Sequence, residues 1–277
     1  MNQMCRVLKV STSGYYEWRK REPSQREQAN EQLLKAIQRV HQASRKTYGS
    51  PRIQAALKRE GIMAGKHRIA RLMKAAGIVG KAPKRRHPRT TQRMVGAPVA
   101  PNLLAQDFTA TRPNEKWLAD ITYIDTDEGW LYLAAVLDLY ARPIVGWSMA
   151  GHMRATLVEQ ALLMALGRRL PDIGLLHHSD RGSQFTSSLV QTLLKQHGIR
   201  VSMSDVGNCY DNSPMESFFG TLKTECATAP FATHAEARQA IFEYIEVWYN
   251  RQRLHSAIGY LPPAEFECHF YHTLCVR

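Results

Sequence analysis

From Asn114 onward the apolar residues change period in a fixed order, and that order leaves few folds open. Residues 116–124, 130–139 and 143–150 read as three strands, the first two flanking a hairpin turn at Asp125-Thr126-Asp127-Glu128-Gly129. Residues 155–169 then repeat Leu157, Val158, Ala161, Leu162, Ala165 and Leu166 at helical spacing, which predicts one buried face. A strand over 174–179, a helix over 187–197 closed by Gly198, and a short strand over 200–204 follow. A helix opening near Ser213 and a long one over about 234–250, with Ala237, Ala240, Ile241, Tyr244, Ile245 and Trp248 inward, complete the series. Strands joined by short turns pair antiparallel, and strands separated by helices run parallel. The order therefore predicts an α/β domain with a mixed sheet and helices on both faces.

Upstream of this domain the charge changes sharply. Residues 1–100 hold 23 Lys and Arg against 5 Asp and Glu, and residues 101–277 hold 14 against 19, giving the chain its net +13. That asymmetry points to a basic, polyanion-binding arm on a mildly acidic domain, with DNA as the expected partner. Residues 1–28 read as a short, irregular basic segment. A small all-α, helix-turn-helix-like DNA-binding domain is expected over 29–80. Its first helix, 29–41, carries Leu33, Leu34, Ile37 and Val40. Its second opens at Ser50-Pro51, serine as N-cap and proline at the first helical position, and ends at Gly61. Its third, 66–76, turns Ile69, Leu72 and Met73 inward and Arg68, Arg71 and Lys74 outward, toward a major groove. A plain three-helix bundle with solvated cations is the alternative. Residues 81–110 read as a basic linker in which Lys84, Arg85, Arg86 and Arg89 track a DNA backbone. The α/β domain is expected over 111–266 and a C-terminal tail over 267–277.

The five cysteines form no CxxC pair and no zinc spacing, which fits reduced thiols. The N-terminus lacks the apolar core of a signal peptide, and the longest apolar run, 130–137, is too short to span a bilayer. The expected location is cytoplasmic, at the nucleoid, with no membrane partner.

Three carboxylates stand out. Asp120 lies in the strand Trp117-Leu118-Ala119-Asp120-Ile121-Thr122-Tyr123, Asp180 ends His177-His178-Ser179-Asp180, and Glu216 follows in a first helical turn, with 35 residues between it and Asp180. Magnesium prefers hard oxygen ligands, so its protein sites are small carboxylate clusters completed by substrate phosphate. Two ions activate the attacking oxygen and stabilise the leaving one in an in-line displacement. Asp120 between both ions, Asp180 on one and Glu216 on the other is the natural assignment, with Mn2+ able to substitute. Each residue also has a plain reading. Asp120 could pair with Lys116, Asp180 could cap the turn before Gly182, and Ser213 with Glu216 forms a capping-box pattern.

The order of elements resembles an RNase H-like domain, in which the first and fourth strands are neighbours and Asp120 meets Asp180. The motifs resemble the second reading-frame product of insertion-sequence transposases of the IS-three type, related to retroviral integrases. The match rests on Tyr48-Gly49-Ser50-Pro51-Arg52-Ile53, on the segments around Asp120 and Asp180 (through Phe185), and on 208–219 around Glu216. Lys223 and the closing segments 249–255 and 259–266 extend it. The resemblance implies a DNA transposase, with water freeing a 3′-hydroxyl at an element end and that hydroxyl attacking another phosphodiester. It also implies a homo-oligomer on DNA, phosphate contact by Lys223, and fusion to the upstream reading-frame product by frameshifting. A catalytically silent DNA-binding regulator is the rival reading. His178 and Gln184 support Asp180, contact DNA or are structural. Arg251, Arg253 and His255 bind DNA or cap a helix, and Asp211 is a decoy carboxylate. No His/Cys zinc module is present.

Overall fold

The computed structural model describes residues 2–82, 100–205 and 208–275, apart from the side chains of Cys209 and Leu274. Lys84, Arg85, Arg86 and Arg89, expected to follow a DNA backbone, lie outside the described residues. Among those described, no helix is long and apolar enough to cross a membrane. The chain divides into two units, Met1–Gly80 and Lys81–Arg277.

The first unit is helical: α1 (Asn2–Val7), α2 (Thr12–Lys20), α3 (Gln25–Ala43), α4 (Ser50–Arg59) and α5 (Lys66–Ala75). Its core is Leu33, Ile37 and Val40 of α3 with Ile53, Leu57, Ile69 and Met73 of α4 and α5. Three expectations need correction. The opening segment forms two short helices rather than irregular chain, each too brief to develop a visible period. α3 begins four residues early because Ser24 and Glu27 form a capping box. Ser24 Oγ accepts from Glu27 N–H at 3.3 Å, and Glu27 Oε2 accepts from Ser24 N–H at 2.7 Å. The N-cap of α4 is Gly49, with Ser50 already helical and no side-chain cap.

The second unit is built on a five-stranded sheet in the order β3-β2-β1-β4-β5, formed by β1 (Lys116–Ile124), β2 (Leu131–Asp138), β3 (Ile144–Ala150), β4 (Leu176–Ser179) and β5 (Arg200–Met203). β1, β2 and β3 pair antiparallel, and β4 and β5 extend the sheet in parallel. Alternation along the strands divides the core. Trp117, Ala119, Ala134, Val136 and Val145 pack under α6 (Ala155–Arg169) and α7 (Ser188–Gln196), against Leu157, Val158, Ala161, Leu162, Val190 and Leu194. The opposite set, including Leu118, Ile124, Leu131, Leu133 and Leu137, is equally buried. α8 (Ser213–Glu225) contacts β1 there.

The C-terminal part departs from the single long helix expected. α9 (His234–Glu243) passes into a π-helical turn, Tyr244–Tyr249, and after a 3-10 turn at Ser256–Ile258 a last helix, α10 (Pro263–Cys275), occupies what was expected to be a tail. α10 is tied down by Glu267, which is buried and paired with Arg169 at 2.6 Å. Arg169 in turn reaches Asp138 at 3.2 Å.

Candidate active site

The strand register sets two of the three carboxylates side by side. β1 and β4 run parallel with Trp117 opposite His177 and Leu118 opposite His178. Two residues further along both chains stand Asp120 and Asp180. Asp120 shares the strand face of Leu118, the face that α8 covers. α8 is anchored beside it, because Asn212, its N-cap, donates from Nδ2 to the Ala119 carbonyl at 3.3 Å. Glu216, in the first turn of α8, is exposed.

Asp120 senses its neighbours. Its carboxyl is raised to about 8, by burial first, then by the charge of Asp180, with a smaller push from Glu216. The Ile121 N–H, donating to Asp120 Oδ1 at 2.7 Å, and the Lys223 ammonium pull the other way. Partial burial also raises the Glu216 carboxyl. The plain reading of Asp120 is excluded by Lys116, whose ammonium pairs with Asp107 at 2.7 Å.

Asp180 does form the expected turn, its Oδ1 accepting from Gly182 N–H at 2.9 Å. A Cβ on Gly182 would lie 3.0 Å from Asp180 Oδ1 and 3.0 Å from Gln184 Oε1, so glycine leaves room for both side chains. Gln184 donates to the Met153 carbonyl at 3.0 Å. Among the described residues, no three His, Cys, Asp or Glu side chains converge closely enough to ligate one metal ion. Carboxylates crowded in one place repel, and here they stand within electrostatic reach without closing into a cluster. The donor set still fits a hard divalent cation: three carboxylates, one of them raised by the charge of the others.

The capping box expected at Ser213 and Glu216 is absent. A 3-10 turn, Cys209–Asn212, leads directly into α8 and leaves Ser213 with helical φ and ψ of −54° and −32° rather than the extended geometry of an N-cap. The entry is fixed instead by Asp211, buried beneath four donors. These are Asn102 at 3.0 Å, Gln106 at 2.9 Å, the Asp205 N–H at 2.8 Å and Asn208 at 2.8 Å. Asp211 thus spends both oxygens on holding the loop that presents Glu216.

His178 is buried between Ser202 at 2.8 Å and Ser204 at 3.1 Å, which use both ring nitrogens for structure. His177 faces the α6 and α7 side, beside Phe185, and burial pushes it down to about 3, so it stays neutral. Lys223 stands over the Tyr123 ring, 4.2 Å from its centroid, and Tyr123 meets Trp130 edge-on at 4.8 Å. Tyr123 and Trp130 are both about half-exposed, and sequence reasoning passed over Trp130 as an ordinary strand residue.

The closing segment is a clasp. Arg253, 4% exposed, pairs with Glu225 of α8 through Nε at 3.0 Å and Nη2 at 2.8 Å. Tyr244 Oη and Trp248 Nε1 donate to Glu225 Oε2 at 3.1 and 3.2 Å. The Asn250 side chain accepts from Ile144 N–H and donates to Ile144 C=O, both at 2.9 Å, continuing the hydrogen bonding of β3. Arg253 is therefore structural, and Arg251 is exposed.

In the first unit, Arg26, His67, Arg68 and Arg71 line a cleft of about 590 Å³ between α3 and α5. Arg71 and Lys74 are exposed as expected. Arg68 is not: it is half-buried and donates to Asn30 Oδ1 of α3 at 2.8 Å.

Residues 110–209 and 197–263 match families described as "Integrase core domain", and residues 28–86 one described as "HTH-like domain". Among solved structures, the chain is similar to a simian T-cell lymphotropic virus intasome in complex with PP2A regulatory subunit B56 gamma. That likeness has a TM-score of 0.46 and 16% identity over 77% of this chain and 70% of the other. The HTLV-2 integrase catalytic core domain in complex with magnesium matches with a TM-score of 0.44 and 16% identity over 57% and 99%. The Insertion element IS600 uncharacterized 31 kDa protein of Shigella sonnei is 48% identical over 264 residues, 95% of this chain and 97% of that protein. Transposase InsF for insertion sequence IS3A of Escherichia coli K12 is 43% identical over 267 residues, 95% and 92% of the two chains. Identity sustained at that level from end to end makes this chain a member of the IS3 family of insertion-sequence transposases.

Proposed function

We propose that this transposase performs DNA transposition by cutting an element end and joining it to another DNA site, using Asp120, Asp180 and Glu216. The observation that carries the reading is the parallel register of β1 and β4, which stands Asp120 beside Asp180 on the sheet that α8, bearing Glu216, contacts; the raised carboxyl of Asp120 agrees with it. These three residues would hold two divalent cations, magnesium by the hardness of the donors, with manganese as a substitute. Bound there, such ions supply Lewis-acid activation of the attacking oxygen and charge stabilisation at the leaving one.

The chain's own residues prepare that site. Asp120 sheds the proton that burial favours. Asp180 is aimed by the Gly182 N–H, and Glu216 is presented by the loop that Asp211 fixes. Lys223 steers a DNA phosphate toward Asp120, with Tyr123 beneath its ammonium. In the first step water forms a P–O bond as the bond to the 3′-oxygen of the element end breaks. In the second, that 3′-hydroxyl attacks another phosphodiester, and the displaced oxygen leaves. No bond to the protein forms in either step.

Arg71, Lys74 and the cationic cleft between α3 and α5 bind the DNA duplex, while the half-buried Arg68 braces α5 against α3. Two ends must be held together, so the working form is a homo-oligomer on DNA. The test is labelled element-end DNA with magnesium, comparing wild type with Asp120→Asn. Metal-dependent joined products that vanish in the variant are expected. Hydrolysis without joining would indicate a nuclease, and binding without either product a regulator.

A further inference from the structure

The N-terminal helix pair lies ahead of residue 28, where the matched HTH-like domain begins, and the chemistry proposed above makes no use of it. α1 ends in a Schellman motif: Val10 N–H donates to the Cys5 carbonyl at 3.0 Å and Lys9 N–H to the Arg6 carbonyl at 3.2 Å. Lys9 takes the left-handed conformation with φ of 54°, which residues other than glycine seldom adopt. Ser11 caps α2 at once, accepting from Gly14 N–H at 3.0 Å. Only Leu8, Lys9, Val10 and Ser11 separate the helices, and Cys5 of α1 is enclosed, at 4% exposure.

Two helices joined by a tight turn of three or four residues is the arrangement that sets the second helix into a major groove. The surface of α2 suits that task. Ser13, Tyr16, Glu17 and Lys20 share one face at helical spacing, and all four are exposed. Its leading end, Ser11-Thr12-Ser13-Gly14, carries small polar groups that let backbone approach base edges closely. Its trailing end is Arg19-Lys20-Arg21, and Arg6 and Lys9 add charge against a single acid, Glu17, among residues 2–21.

We infer that α1 and α2 form a DNA-reading helix-turn-helix additional to the matched domain. In it α2 enters the major groove, Ser13 and Tyr16 meet base edges, and Arg19, Lys20 and Arg21 bind phosphates. The inference rests on the reading that this chain acts on DNA. Met4, Val7, Leu8 and Val10 are also exposed on the pair, which offers a protein partner a surface. The small polar leading end of α2 and the cationic Arg19-Lys20-Arg21 at its trailing end favour duplex DNA, and protein docking is an outcome of the test.

The test uses the full chain carrying Asp120→Asn, so that bound DNA stays intact. Duplexes selected from a random-sequence pool are compared with scrambled ones by fluorescence anisotropy at matched salt. Ser13→Ala with Tyr16→Ala is expected to lower the preference for selected duplex about tenfold or more, leaving scrambled duplex within about twofold. Lys20→Ala is expected to weaken both and to flatten the salt slope by about 0.9. Because these side chains are exposed, unchanged thermal melting of each variant shows that the fold is kept. For Ser13→Ala with Tyr16→Ala, an unchanged preference, an equal loss on both duplexes, or altered self-association with unaltered DNA binding overturns the inference, and so does an unchanged salt slope for Lys20→Ala. End joining by the chain with Asp120 intact is measured separately. If joining fails while the α2 variants still lose preference, the strand-transfer reading falls and the helix-turn-helix stands.

Discussion

Asp120 is where the electrostatics of the site concentrate, and it makes a signed prediction. Its carboxyl is raised to about 8 in the folded protein against an ordinary value of 3.8. Between those values the folded state binds the proton that the unfolded state has released, so metal-free protein loses stability as pH rises from about 4 to about 8. Asp120→Asn, which has no proton to lose, should flatten this part of the profile in thermal melts run with chelator. A dication at the site must displace the proton, so magnesium should raise the melting temperature more at pH 8 than at pH 6. Equal magnesium shifts at both pH values, or parallel profiles for wild type and variant, would remove Asp120 from the site. The position of Asp120 was legible because an acid inside an apolar strand is conspicuous. The role of Asp211 was not: four donors from Asn102, Gln106, Asp205 and Asn208 converge on it only in the folded chain.

At the scale of elements, one close approach and one buried pair carry much of the second unit. Gly146 of β3 sits under α6 so tightly that an added Cβ would lie 2.2 Å from the Ala161 carbonyl oxygen and 2.7 Å from Ala165. Helix backbone cannot yield as a side-chain tip can, so Gly146→Ala should cost about 1–3 kcal/mol in urea unfolding. A loss below about 0.5 kcal/mol would mean that α6 shifts freely on the sheet. Arg253 and Glu225 are each 4% exposed, and removing the arginine strands a buried carboxylate. Arg253→Ala should cost about 3–5 kcal/mol, whereas replacing both partners with apolar residues of similar volume should cost far less. If both changes cost the same, the pair is not coupled.

These contacts also explain which elements the sequence reveals. β1 and α6 fall where the sequence places them, because β1 is a short apolar run buried on both faces and α6 repeats its buried residues at helical spacing. Tyr244, Ile245 and Trp248 also fall inward as helical spacing places them, but the π geometry of Tyr244–Tyr249 and the whole of α10 leave no such trace, since Glu225, Arg169 and Asp138 reach them across the fold. Likewise Ser213 and Glu216 have the letters of a capping box, but the preceding 3-10 turn already supplies the helical entry. Ser24 and Glu27 carry the same letters and do form one.

For the whole molecule, charge divides the labour between the two units. Residues 1–80 hold 17 Lys and Arg against 5 Asp and Glu, whereas residues 81–277 hold 20 against 19. The unit bearing the three carboxylates is therefore nearly neutral, and carboxylates repel phosphates. Attraction to DNA must come chiefly from the helical unit. Each phosphate neutralised by a cation adds about 0.9 to the slope of log affinity against log salt. A chain lacking residues 1–80 should bind duplex DNA more weakly and show a slope shallower by several such steps, measured by anisotropy from 50 to 200 mM salt. The same truncated chain should keep its magnesium-dependent rise in melting temperature, because Asp120, Asp180 and Glu216 all lie in the second unit. An unchanged salt slope would move the DNA-binding charge into the core domain and would assign the basic N-terminal unit a partner other than DNA.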